Sequence, residues 1–181
     1  MEEFDIRSAA RKKAEDNSKY NDMKQHADKL IQGFQKLNDS HAKRAIWELF
    51  QNAIDLSDKA QIIIEQKSDS LVFKHNGKPF DDNTLNCLIK QVSSKSAESN
   101  DDEIGQYGTG FITTHSFGRK ILLSGSLKND NSFISLNGFE IDRTAKTSPD
   151  LILDLVKQQN AVFDLIENGA YLKDCTPFTE F

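Results

Sequence analysis

Glu48-Leu49-Phe50-Gln51-Asn52-Ala53-Ile54-Asp55 is the stretch on which the reading of this chain turns. Ile46, Leu49, Phe50 and Ala53 recur at helical spacing, so one face of a helix here is directed to a core. Glu48, Asn52 and Asp55 stand at i, i+4 and i+7 and form a second stripe of carboxylate, amide and carboxylate. A carboxylate can act as a general base, and an amide oxygen is a hard ligand suited to Mg2+. Taken alone, such a stripe is the wet side of an amphipathic helix. Segments further along the chain change that balance.

With 181 residues the chain has the size of one ordinary domain, long enough to bury a sizeable core. Its net charge of −5 comes with no Lys/Arg block, which argues against direct nucleic-acid binding. The densest basic run, Arg11-Lys12-Lys13, is followed at once by Glu15 and Asp16 and reads as a solvated helix face. Cys87 and Cys175 lack metal-ligand or disulfide-framework spacing, and no apolar run has membrane-spanning or signal-peptide character. A cytoplasmic protein without membrane contact is the expectation.

Around the opening stretch, residues 7–19 read as an exposed charged helix or arm. Met23, Ala27, Leu30, Ile31, Phe34 and Leu37 then keep helical period until Asn38-Asp39-Ser40 breaks it. Residues 1–40 are therefore taken as an N-terminal helical segment and 41–181 as the main domain. Past the Glu48 helix, Ile62-Ile63-Ile64 and Leu71-Val72-Phe73 predict a hairpin over Lys67-Ser68-Asp69. A turn at 76–80 precedes a helix from Asp82 to about Val92. Residues 93–103 carry no apolar periodicity and read as a loop that is either mobile or functional. A short apolar helix is predicted around Phe111–Phe117, followed by a second hairpin, Lys120–Leu127 with Ser132–Leu136, and an added strand at Phe139–Ile141. Ser148-Pro149 opens a helix that stops at Gly169, and Thr176 to Phe181 predicts a last strand. Short turns between strands imply an α+β fold with an antiparallel or mixed sheet covered on one face by helices.

Gly105, Gly108 and Gly110 lie between the polar loop and the short helix. Glycine permits close backbone approach, and free N–H groups at a helix start favour phosphate oxygens. There is no Walker A motif and no Rossmann fingerprint, so neither supplies a nucleotide site.

Three segments in order, ELFQNAID (48–55), KHNGKPF (74–80) and IGQYGTGF (104–111), resemble the N-box and the two glycine boxes of the GHKL ATPases. That superfamily takes in type II topoisomerases, mismatch-repair proteins of the MutL type, histidine kinases and the large heat-shock chaperone. The wording GQYGTGF, with Ser94-Lys95-Ser96 upstream, is similar to the chaperone branch, and HNGKPF to its sacsin-like relatives. The resemblance covers 41–127 by motif and the rest by order of elements. It implies the Bergerat fold, a two-layer α/β sandwich with ATP between helices and sheet.

It also implies roles for individual residues. Asn52 would hold the Mg2+ that bridges the phosphates, Glu48 would deprotonate the attacking water, and Asp55 would support the nucleotide from behind. Backbone groups of Gly105, Gln106, Tyr107, Gly108, Thr109, Gly110 and Phe111 would bind phosphates, with residues 93–104 as a lid and Lys95 as a further phosphate contact. His75, Asn76 and Gly77 would lie at the base, and Thr176 would match the threonine of the last nucleotide-binding strand, although Cys175 stands where glycine is usual. The chain departs from the pattern at His75, where the family has Asp, and at Pro79, where it has Gly. A neutral imidazole could accept from the adenine amino group and would lose that capacity as pH falls through about 6.5; Asn76 could also accept, or His75 could pack against the sheet edge while backbone groups read the base. His26, His41 and His115 have no metal-like spacing and read as structural or exposed.

The resemblance implies an ATP-binding, Mg2+-dependent ATPase, weak in isolation, that drives conformational change together with further domains of the same polypeptide. Such relatives complete the site with later domains or by dimerisation. The helix at 7–37 could pack on a second copy or serve as an intramolecular strap. Histidine kinases of the superfamily ordinarily lack a glutamate at position 48, which disfavours that branch. Two alternatives remain: a sensing or interaction module that binds ATP or ADP without hydrolysis, suggested by His75 and Pro79, and a scaffold with no ligand. The sheet expected here needs further strands, so the chain is expected to belong to a longer polypeptide.

Overall fold

The computed structural model describes residues 2–91 and 110–181, with side chains from Ser8 onward. Helix α1 (Glu2–Gln35) runs for 34 residues without a break, joining the two N-terminal segments that the sequence suggested. Nothing between them is a helix breaker: no Pro or Gly occurs before Gly33. Its second half is packed, with Ala27, Leu30 and Phe34 buried in the same core as Leu49 and Phe111. Arg119 clamps that end, donating from Nη2 to the Phe34 carbonyl at 2.9 Å and lying 4.9 Å above the Phe34 ring.

Helix α2 (Asp39–Asp55) begins where Asn38 and His41 cap each other's backbone. Asn38 accepts from the Ser40 N–H, and His41 Nδ1 receives the Asn38 N–H. Such reciprocal capping satisfies N–H groups that the first helical turn leaves free. Strands β1 (Ile62–Gln66) and β2 (Leu71–His75) form the expected antiparallel hairpin. A two-residue strand β3 (Phe80–Asp81) follows, and Asp81 caps helix α3 (Asp82–Lys90) with Thr84. The short 3-10 helix spans Phe111–Ser116.

Strands β4 (Lys120–Asn129) and β5 (Ser132–Asp142) form a long hairpin; the separate strand expected at 139–141 is the second half of β5. Helix α4 (Ser148–Asn168) has Thr147 as its cap and a proline in its first turn. Strands β6 (Tyr171–Leu172) and β7 (Thr179–Glu180) close the chain. The last strand is shorter than predicted, since Thr176 to Phe178 lie before it.

The seven-stranded open sheet has the order β1-β2-β7-β4-β5-β6, with β3 against β4. All pairings are antiparallel except β3 with β4. This is an α+β protein with helices packed on a mostly antiparallel sheet. Phe73, Leu123, Leu127, Ile134 and Ile141 point from the sheet into the core, meeting Leu85, Leu88, Leu151 and Val162 of the helices. Gly125 sits at a bulge in β4 with φ of +144°, a conformation that side chains resist, and its face meets the Phe178 carbonyl and Thr179. The bulge is what lets β7 come in beside β4.

Candidate functional site

Helix α2, which carries the first sequence segment, touches the second and, of the third, Gly110. At its middle, the Glu48 side chain lies against Gly110, where an added Cβ would sit 2.7 Å from the carboxyl carbon. At its end, Gly77 meets Leu56, with a Cβ there placed 2.7 Å from the Leu56 Cβ, and the Lys78 N–H bonds to the Leu56 carbonyl at 3.0 Å. Neither glycine could be replaced without movement. Glu48 and Leu56 are eight positions apart, about 12 Å along the axis. The end of the glycine run and the 75–78 turn are therefore held at opposite ends of the acid-and-amide stripe.

The stripe is not uniform. Asn52 is 5 % exposed, and none of the described residues hydrogen-bonds its side-chain amide. Its amide atoms, unlike Nε2 of His75, are not among the fully buried polar atoms left without a partner, so the small exposure of this residue includes a polar group open to a ligand. Glu48 is half-buried and accepts from Arg44 Nε at 3.2 Å, one turn earlier. Asp55 is exposed and has a partner.

His75 ends β2 and is 1 % exposed. Its ring stacks on Phe181 with centroids 5.8 Å apart, inside an aromatic group with Phe73, Phe80 and Phe111. Its Nδ1 accepts the Gly77 N–H at 3.1 Å, which places the proton of the neutral ring on Nε2, and Nε2 is buried without a partner. Burial lowers its pKa from 6.5 to about 4. Two expectations are corrected here. His75 has no acceptor free for a base, since Nδ1 is taken by Gly77 and Nε2 is buried, and its titration lies well below 6.5. Asn76 is also committed: Oδ1 accepts the Gln61 N–H at 2.7 Å, and Nδ2 donates to the Lys59 carbonyl at 3.0 Å. It ties the end of the α2–β1 connection to the turn.

Phe111 is a core residue at 2 % exposure, so its ring does not offer a ligand surface. Thr176 lies outside β7. Its Oγ1 bonds to Ser126 Oγ at 3.1 Å, and its N–H donates to the same oxygen. The strand threonine opposite His75 is Thr179, 3 % exposed. The alternation that places Phe181 inward also places Thr179 inward, a signal present in the sequence once the strand is started at 179. Lys95, Gly105, Gln106, Tyr107, Gly108 and Thr109, like the proposed lid at 93–104, lie outside the described residues.

Beyond the stripe, Arg143 is buried behind α3. It donates to the Ile89 and Asp142 carbonyls and, at 2.9 Å, to Gln158 Oε1. Burial lowers its pKa to about 10. His115 is bonded to Gln91, the left-handed residue that ends α3, and to the Gly118 carbonyl. Burial is the main cause that takes its pKa down to about 3, and Arg143 adds to it. His41 and His115 are thus structural, as expected. Among the described residues no cluster of three or more His, Cys, Asp or Glu could hold a metal, so a cation would depend on Asn52 and on the ligand's own oxygens. Two cavities, of about 420 and 350 Å³, are lined by other residues and not by Glu48, Asn52 or His75. No helix among the described residues is long and apolar enough to cross a membrane. Comparison with protein-family models, with curated proteins and with solved structures gave no match.

Proposed function

We propose that this chain is a Mg2+-dependent ATP-binding and ATP-hydrolysing domain of the GHKL type, with α2 and the sheet as the two layers of a Bergerat sandwich. The observation that carries the reading is the convergence on α2. Glu48 meets Gly110, Asn52 is 5 % exposed with an amide that no described residue bonds, and Leu56 meets the Gly77 turn.

In this reading the Asn52 side-chain oxygen would hold Mg2+, a cation that keeps several waters and binds mostly through phosphates. The bound ion would offset charge on the phosphate oxygens. Glu48 takes a proton from water as the water oxygen bonds to the terminal phosphorus; the bond to the bridging oxygen breaks, giving ADP and inorganic phosphate. Arg44 orients Glu48 through their ion pair. The free thiols of Cys87 and Cys175 suit the reducing conditions of the cytoplasm.

One observation favours a second reading, a module that binds ATP or ADP without turnover. Glu48 is already engaged by Arg44 and packed on Gly110. Glu48→Gln separates the two: under the ATPase reading it retains nucleotide binding and stops phosphate release, whereas unchanged release in the variant contradicts the base assignment.

A further inference from the structure

Strand β1 forms one rim of the sheet, and its outer edge is unprotected. It pairs with β2 over all five of its residues without a bulge, and among the described residues no strand lies on its other side. The opposite rim, β6, is two residues long. Proteins blunt exposed edges by shortness, proline, bulges or charge, because unpaired N–H and C=O groups template further pairing. Strand β1 reads Ile62-Ile63-Ile64-Glu65-Gln66, with three successive β-branched residues and a single charge.

Backbone parity shows what the edge offers. The Asn76 N–H bonds to the Gln61 carbonyl and the Lys67 N–H to the Ser70 carbonyl, so residues 61, 63, 65 and 67 face β2. Ile62, Ile64 and Gln66 therefore turn their N–H and C=O outward. Ile64 lies opposite Phe73 and Ile62 opposite His75, which puts both side chains on the helix side of the sheet. Ile62 packs on the core, whereas Ile64 is 41 % exposed.

Helix α2 extends this apolar rim. Glu48 and Phe50 flank the buried Leu49 on opposite sides of the helix. The Glu48 flank meets Gly110, while the Phe50 ring lies edge-on to Phe73 of β2 at 5.9 Å. Trp47 and Ile54 share the Phe50 flank at i−3 and i+4, with the Trp47 ring 6.5 Å from that of Phe50. They are 74 % and 57 % exposed. Trp47, Phe50, Ile54 and Ile64 thus border one open strand edge.

We propose that this rim binds a second copy of the chain by antiparallel pairing of β1 with β1 across a twofold axis at Ile64. Self-pairing makes outward-facing residues meet, so the axis passes through a residue and not between two. Axes at 63, 64 and 65 keep three or more of the strand residues paired. The first places Lys59 opposite Lys67, and the last places Glu65 opposite Glu65. The axis at Ile64 pairs the whole strand, sets no like charges opposite each other and brings Lys59 opposite Asp69. Any strand could satisfy the backbone; the match of this edge to its own sequence selects a second copy. The two β2 strands then stand three strand spacings apart, about 14 Å. Trp47 and Ile54 of both copies fill the space above the joined β1 strands. The Glu48 flank of α2 faces away from this interface, and α1 takes no part in it.

Trp47 is the one tryptophan of the chain, so its emission reports this face. The proposal predicts that, from low micromolar to millimolar protein, the sedimenting mass doubles and Trp47 emission moves to shorter wavelength. Hydrogen exchange at the Ile62, Ile64 and Gln66 amides slows by about tenfold over the same range. Ile64→Lys sets two ammonium groups against each other on the axis and weakens association about tenfold or more. Lys59→Asp weakens it about threefold, and adding Asp69→Lys to that variant restores it. A mass that stays monomeric at millimolar concentration overturns the proposal. So does association that leaves Trp47 and the three amides unchanged, which would place the contact elsewhere. Slow exchange of those amides in the monomer also overturns it, since the chain would then cover its own edge. A charge-swapped double variant no stronger than Lys59→Asp rejects the Ile64 axis. None of these measurements involves nucleotide, so the proposal stands or falls separately from the ATPase reading.

Discussion

The carboxylate of Glu48 rests on the Cα of Gly110, leaving no room for a side chain between helix α2 and the start of the 3-10 helix. Glu48 is held on its other side by Arg44. Gly110→Ala therefore displaces the carboxylate and leaves the backbone in place, because the obstructing atoms are the far end of a flexible side chain. The expected outcome is a melting temperature within a few degrees of wild type, with phosphate release reduced by about tenfold or more. A variant with full turnover would show that Glu48 works from another position.

His75 and His115 both have folded pKa values below 6.5, and both are lowered mainly by burial. The unfolded chain therefore binds more protons below pH 6.5, and stability falls as pH drops from there towards 4 and 3. For His75 the loss is on the order of 3 kcal/mol once pH is below about 4. In His75→Asn, an amide oxygen can replace Nδ1 as acceptor for the Gly77 N–H. Denaturant unfolding between pH 3.5 and 7.5 should then show a shallower slope in that variant than in wild type.

The same tautomer bears on base selectivity. With Nδ1 taken by the Gly77 N–H and Nε2 buried, His75 gives no acceptor to the adenine amino group. Titrations with ATP and GTP are expected to give affinities within about tenfold of each other, far short of what a dedicated acceptor provides. Strong preference for ATP would mean that other groups read the base. Between pH 5.5 and 8 the affinity should not respond to His75, which stays neutral there.

Arg143 joins α3, β5 and α4 through three acceptors. Arg143→Met keeps apolar bulk but leaves the Ile89 carbonyl, the Asp142 carbonyl and Gln158 without that donor. The expected cost is about 3 kcal/mol in urea unfolding. A cost below 1 kcal/mol would show that these groups find other partners.

Much of this fold can be read in short-range patterns. Leu49, Phe50 and Ala53 keep helical period, Ser148 and Pro149 mark a helix start, and the residues of β1 and β2 flank a polar turn. What escaped the sequence depends on distant partners. Phe80–Asp81 becomes a strand only because Leu127 and Lys128 lie alongside. Thr176 is told from Thr179 by where β7 starts, which depends on its pairing with β2 and β4. The chemistry of His75 is set by an N–H two residues on and by Phe181, more than a hundred positions away. Asn76 presents a polar amide in the sequence, yet its hydrogen bonds are spent on the connection before β1.

The most direct test of the account is calorimetric titration of Mg2+-ATP into wild type and Asn52→Ala. The account predicts binding to wild type that weakens at least tenfold when Mg2+ is withheld, and an alanine variant that stays folded but shows the weak affinity with or without the ion. Equal affinities for the two proteins in Mg2+, or no heat from either, would contradict it.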